Sequence, residues 1–121
     1  MKRIILVFIL ILIIALLLNC EGPKDSNPTI DLKAEVNFTG TQLIILNKDD
    51  FDWPNVTLEL NKKYALNVDI IKANKKYNIP IGQFTTKDGT RFNPFTTKPT
   101  SINIWSRMPE NKRGFYYGQW N

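Results

Sequence analysis

The chain has 121 residues, with 16 Lys plus Arg against 11 Asp plus Glu, a formal charge of +5, one cysteine and no histidine. That length supports one hydrophobic core rather than two. The missing histidine removes Ser-His-Asp and Cys-His catalysis and the usual zinc sites, and a single cysteine removes any internal disulfide.

The chain starts with Lys2 and Arg3, followed by an unbroken apolar run from Ile4 to Leu18. A helix of that length reaches roughly 22 Å at ~1.5 Å per residue, short of the ~30 Å hydrocarbon core of a bilayer. A cationic segment followed by a short apolar one is the pattern of an export signal, and the cations hold the N-terminus on the cytoplasmic side. Leu17-Leu18-Asn19-Cys20 closes the run. This junction resembles the lipobox of bacterial lipoproteins, with Leu17 as the large aliphatic residue three positions before the cysteine and Asn19 standing where Gly, Ala or Ser is commonest. The resemblance implies cleavage between Asn19 and Cys20, a diacylglyceryl thioether on Cys20, acylation of the new amino group with a fatty acid such as palmitate, and membrane lipid as the partner held through Cys20. Two or more acyl chains, at ~0.8 kcal/mol per buried methylene, anchor durably where one is marginal. An uncleaved signal anchor with an incidental cysteine is the alternative.

Residues 21–29 (EGPKDSNPT) hold two prolines and a glycine with nothing apolar to bury, which predicts a flexible tether. The expected organisation is a helical signal segment over 1–19, a lipidated cysteine and tether over 20–29, and one β-domain over 30–121. Without Lys2 and Arg3 the balance falls to 14 cations against 11 anions. That mild excess does not describe a nucleic-acid binder.

From Ile30 the periodicity is that of strands. Ala34, Val36 and Phe38 alternate with polar residues, and Gln42 to Leu46 form a continuous apolar run that predicts a central strand covered on both faces. Asn47 to Pro54 read as a turn-rich connection. Val56, Leu58 and Leu60, then Tyr64, Leu66, Val68 and Ile70, predict a hairpin turning at Asn61-Lys62-Lys63. Tyr77 to Ile81 is interrupted by Pro80, which predicts an edge strand or bulge, continued through Gly82 to Phe84. Lys87-Asp88-Gly89 reads as a turn, and Arg91 to Pro99 as a loop folded onto the sheet edge. Ser101 to Ser106 and Gly114 to Trp120 are the last two strands. About seven short strands with regular turn signals predict an all-β fold, an antiparallel β-sandwich of immunoglobulin-like general architecture. Phe51-Asp52-Trp53, Asn55 to Asn61, Tyr64 and Asp88 to Phe92 resemble a recurring β-domain of uncharacterised bacterial envelope proteins, which implies the same sandwich and no assigned chemistry.

Asp49, Asp50 and Asp52 form the one acidic cluster, but they lack the glycine and distal glutamate of a calcium loop and read as a solvated turn, so no metal is expected. Asp69, Asp88 and Glu110 are the carboxylates that paired glycosidase chemistry would have to recruit, and nothing in the sequence brings two of them together. No enzyme activity and no cofactor are expected. The aromatics carry more. Placing Phe115 and Tyr117 inward leaves Trp105, Tyr116 and Trp120 outward as a platform for stacking sugars or partner side chains. Lys72, Lys75, Lys76, Lys112 and Arg113 read as solvated turns, with contact to anionic lipid as the second reading. The expectation is a lipoprotein of the bacterial cell envelope. It would sit in the cell membrane or outer membrane with its domain outside the cytoplasm, serving a structural or binding role toward a protein or glycan. The alternatives are a carbohydrate-binding or glycan-active module and a single-span anchored protein.

Overall fold

The computed structural model describes residues 28–120; the predicted signal, Asn19, Cys20 and all of the tether before Pro28 lie outside the described residues. Eight strands form an all-β sandwich: β1 (Thr29–Asp31), β2 (Ala34–Phe38), β3 (Gln42–Asn47), β4 (Trp53–Leu60), β5 (Tyr64–Ile71), β6 (Lys76–Pro80), β7 (Ser101–Arg107) and β8 (Arg113–Gln119). One sheet has the order β1-β8-β7-β4-β5, the other β2-β3-β6. All neighbours are antiparallel except β1 and β8, which run parallel with Thr29 opposite Arg113. That short strand begins inside the segment read as tether. Its three residues, Thr29-Ile30-Asp31, are too few for an alternating pattern, and they are held from a distance by backbone bonds to β8.

The core lies between the sheets, where Leu43, Ile45 and Ile79 of the small sheet meet Val56, Leu58, Leu60, Ile102 and Ile104 of the large one. Alternation places these side chains, because every second residue of a strand faces the same way. β3 is central in its sheet, as expected, but only its inward face is closed. Leu43 and Ile45 are buried while Ile44 and Leu46 are half-exposed. Pro80 ends β6, an edge strand, where its missing N–H costs no ladder bond. The chain then turns instead of continuing extended. Ile81 to Gln83 form one 3-10 turn, closed by Phe84 N–H donating to the Ile81 carbonyl at 3.2 Å. Both Ile81 and Phe84 are fully buried, and a separation of three residues brings them onto one side only in such a turn.

In the β4–β5 hairpin, Asn61 and Lys62 take φ of 53° and 58°. Lys63 N–H bonds the Leu60 carbonyl at 3.0 Å. Two positive central φ angles match the right-handed twist of the flanking strands, which is why glycine is not obligatory for the register. Asn55 has φ 47°, and the β4–β5 ladder skips the Asn55–Asp69 position. This left-handed residue reverses the facing of the strand: Val56, Leu58 and Leu60 point inward on one side of it, and Trp53, paired with Ile71, points inward on the other. The predicted connection Asn47 to Pro54 therefore ends two residues early, with Trp53 in the core. In the loop Arg91 to Pro99, Phe92 is buried edge-on against Tyr64 at 4.9 Å, whereas Phe95 is 91% exposed.

Candidate ligand-binding face

The face of the five-stranded sheet turned away from the core is built by three ladders of side chains. The middle one runs Asp31, Phe115, Trp105, Thr57, Asn67 across all five strands. A second runs Tyr117, Asn103, Glu59, Ala65, and a third sets Thr29 beside Arg113 and Arg113 beside Arg107. Trp105 and Phe115 are in ring contact, with centroids 4.2 Å apart and planes tilted by 39°. Trp105 is 42% exposed and Tyr117 43%. Tyr117 sits diagonally from Trp105, a separation of ~7–8 Å in a regular sheet, and Lys62 Nζ approaches its ring to 5.9 Å.

Beside Trp105 the face sinks into a depression of about 480 Å³ bounded by Asn55, Thr57, Asn67, Asp69, Arg107 and Arg113, with Val56, Val68 and Ser106 at its floor. It opens where the ladder is interrupted between Asn55 and Asp69. Asn55 Nδ2 donates to the Arg107 carbonyl at 3.4 Å, and Thr57 Oγ1 donates to Asn67 Oδ1 at 3.1 Å. Among the described residues the Asn67 amide N–H groups make no side-chain hydrogen bond. Among the described residues one ion pair forms, Lys112 with Glu110 at 3.6 Å. Among the described residues, Arg107, Arg113 and Asp69 therefore line the depression without an oppositely charged group within 4.0 Å.

The predicted platform is corrected by this register. Trp105 faces outward, but Tyr116 and Trp120 pack half-buried against the core, and it is Phe115 and Tyr117 that share the outer face with Trp105. The reason lies in the two glycines of β8. A Cβ at Gly114 would stand 2.5 Å from Leu32 Cδ2, and one at Gly118 would stand 3.0 Å from the Tyr116 hydroxyl. The parity 114, 116, 118, 120 is the covered side, and the absent side chains make room for Leu32 and for the Tyr116 ring. Phe115 and Tyr117 were missed as site residues, and Gly114 and Gly118 were the signal that marks them.

The remaining candidates separate. Asp49 is buried, not solvated: its Oδ2 accepts Lys33 N–H and Trp53 Nε1–H, each at 3.0 Å. Asp52 accepts Ala73 N–H at 2.8 Å. These two carboxylates hold backbone and indole donors, and among the described residues no group of three metal-ligating side chains converges. Asp69, Asp88 and Glu110 line three different depressions. Asp88 accepts the Thr86 hydroxyl and Thr90 N–H, and these bonds to its charged form hold its carboxyl below the ordinary value of 3.8. Lys72, Lys75 and Lys76 lie in and after the β5–β6 turn, Lys112 in the β7–β8 turn and Arg113 at the start of β8. The pairing directions put both turns at the end of the sandwich where β1 begins. Comparison of the chain with protein-family models, with curated proteins and with solved structures finds no match.

Proposed function

We propose that this chain is a lipid-anchored protein of the bacterial envelope, held through an acylated Cys20, whose sandwich is a non-catalytic binding domain. The observation that carries the reading is the outer face of the five-stranded sheet: Trp105, Phe115 and Tyr117 stand side by side on adjacent rigid strands, two of them more than two-fifths exposed. Burying a large apolar side chain is worth ~1.5–3 kcal/mol. Three aromatics left at the surface of one sheet, flanked by amides and charges, fit a site that gains this energy from a partner. Strands present them with little conformational freedom left to lose on binding. The end of the sandwich at which the chain enters also carries the basic turns, an arrangement that favours a domain riding over an anionic lipid surface.

The test uses the full chain expressed in a bacterial envelope. Intact mass of the membrane-extracted protein should show loss of residues 1–19 and gain of acyl chains, and Cys20→Ser should release the domain from the membrane. Titration with cell-wall polysaccharide fragments should change tryptophan fluorescence in the wild type but not in Trp105→Phe. A full-length mass with a free thiol overturns the anchor, and a flat titration overturns the binding face.

A further inference from the structure

The geometry points to a carboxylate-bearing sugar as the occupant of the depression between Arg107, Arg113 and Trp105. This rests on the outer sheet face being a binding face, and it specifies the chemistry of what binds.

Three independent observations converge. First, Arg107 and Arg113 are directly opposite in the β7–β8 ladder. Like charges in that relation are destabilising. Neither has an acidic partner within 4.0 Å among the described residues; the carboxylate of Asp31 lies on the same face, diagonal to Arg113 across β1 and β8. Two guanidinium groups at one spot match a planar carboxylate, which each can engage with paired N–H donors. Second, Trp105 borders the same depression and is braced by Phe115 at 4.2 Å. Its exposed indole offers a flat apolar surface of the kind a pyranose ring stacks on. Third, the opposite wall is an amide and hydroxyl row, Asn55, Thr57 and Asn67, closed by Asp69. These groups suit sugar hydroxyls, which both donate and accept. The depression is thus polarised, with cations on β7 and β8 and its one lining carboxylate, Asp69, on β5. A uronate ring lying on Trp105 is oriented by that polarity, its carboxylate toward the arginines and its hydroxyls toward Asn67 and Asp69, because the reverse pose sets two carboxylates together. At about 480 Å³ the depression has the size of small-molecule sites, which run from roughly 300 to 1,000 Å³. It holds one or two sugar rings and leaves a longer chain free to run across the face toward Tyr117.

The test is calorimetric and fluorescence titration of the full-length protein in detergent micelles with an oligogalacturonate trimer, and in parallel with its carboxyl-reduced, neutral counterpart. We expect saturable binding of the acidic trimer, at least tenfold weaker binding of the neutral one, and a loss of affinity for the acidic trimer as salt is raised. Arg107→Gln combined with Arg113→Gln should bring the acidic trimer down to the neutral level. The same double variant should melt no lower than the wild type, since it removes a like-charged pair; a fall in Tm would assign the arginines a structural role and overturn the inference. Trp105→Phe should weaken both sugars. Equal affinity for the two trimers, or acidic binding that survives loss of both arginines, overturns the carboxylate assignment while leaving the stacking face intact. Silence from both trimers in calorimetry and in Trp105 fluorescence removes the stacking face along with it.

Discussion

The carboxylate of Asp49 accepts the indole N–H of Trp53 at 3.0 Å, with both side chains buried. The same oxygen accepts Lys33 N–H at 3.0 Å, so one side chain ties the β2 entry to the start of β4. Asp49→Ala orphans both donors, and each buried unsatisfied donor costs ~1–3 kcal/mol. We expect Asp49→Ala to lose roughly 2–4 kcal/mol in denaturant unfolding and Asp49→Asn, which keeps an acceptor, to lose about half as much. Equal losses for the two would show that charge rather than hydrogen bonding matters there.

Gly114 has no room for a side chain. A methyl group there meets Leu32 Cδ2 at 2.5 Å and Met108 Cε at 3.0 Å, whereas at Gly82 the nearest atom is 3.9 Å away. Overpacking of this kind costs ~1–3 kcal/mol. Gly114→Ala should therefore lower Tm by several degrees while Gly82→Ala changes it little, as differential scanning calorimetry of the two variants will read.

Asn61 ties the far hairpin to the loop that precedes β7. Its Oδ1 accepts Thr100 N–H at 2.7 Å and its Nδ2 donates to the Lys98 carbonyl at 2.9 Å. Asn61→Ala should free the loop that carries Phe95 and cost about 1–2 kcal/mol, as expected for removing bonds in a half-exposed setting. Hydrogen exchange at Thr100 and Ser101 should rise in the variant before global unfolding does.

Lys62 occupies a left-handed conformation at φ 58°, which an L-residue with a Cβ adopts at a cost of ~1–2 kcal/mol. Glycine removes that strain but brings greater freedom to the unfolded chain. The balance predicts that Lys62→Gly stabilises by roughly 0.5–1 kcal/mol, measured as an increased denaturant midpoint with an unchanged slope. A decrease would mean that the Lys62 contact with the Tyr117 ring outweighs the backbone strain.

Asp88 supplies a pH dependence. The Thr86 hydroxyl, then the Thr90 N–H, hold its carboxyl below 3.8. A depressed folded value means that the contribution to stability is fully present above 3.8 and is lost as pH falls through the lower folded value. The turn from Thr86 to Thr90 should loosen only in that acidic window, seen as a shift of the Thr90 amide resonance that is absent from Asp88→Asn.

Most of the strands are legible in the sequence because Val56-Leu58-Leu60 and Tyr64-Leu66-Val68 alternate cleanly against polar neighbours. What escapes has a physical cause in each case. β1 is three residues held by long-range backbone bonds, and Ile81-Gly82-Gln83 keeps an alternating pattern while folding into a turn. The final strand packs three aromatics in succession, so hydrophobicity cannot choose its inner face and only the glycines at 114 and 118 can. Trp105 was readable as an outward ring. The depression beside it was not, because it depends on the left-handed Asn55 and on Arg107 meeting Arg113 across a ladder.

The parallel pairing of β1 with β8 also has a mechanical side. The chain enters at Pro28, whose carbonyl accepts Arg113 N–H at 3.2 Å, and Leu32 N–H closes the far end on the Phe115 carbonyl at 2.9 Å. Under the proposed Cys20 anchor, tension applied at Pro28 along the strand axis loads the β1 bonds to β8 in shear. With that anchor, β1 is therefore the strand that carries tension into the sheet.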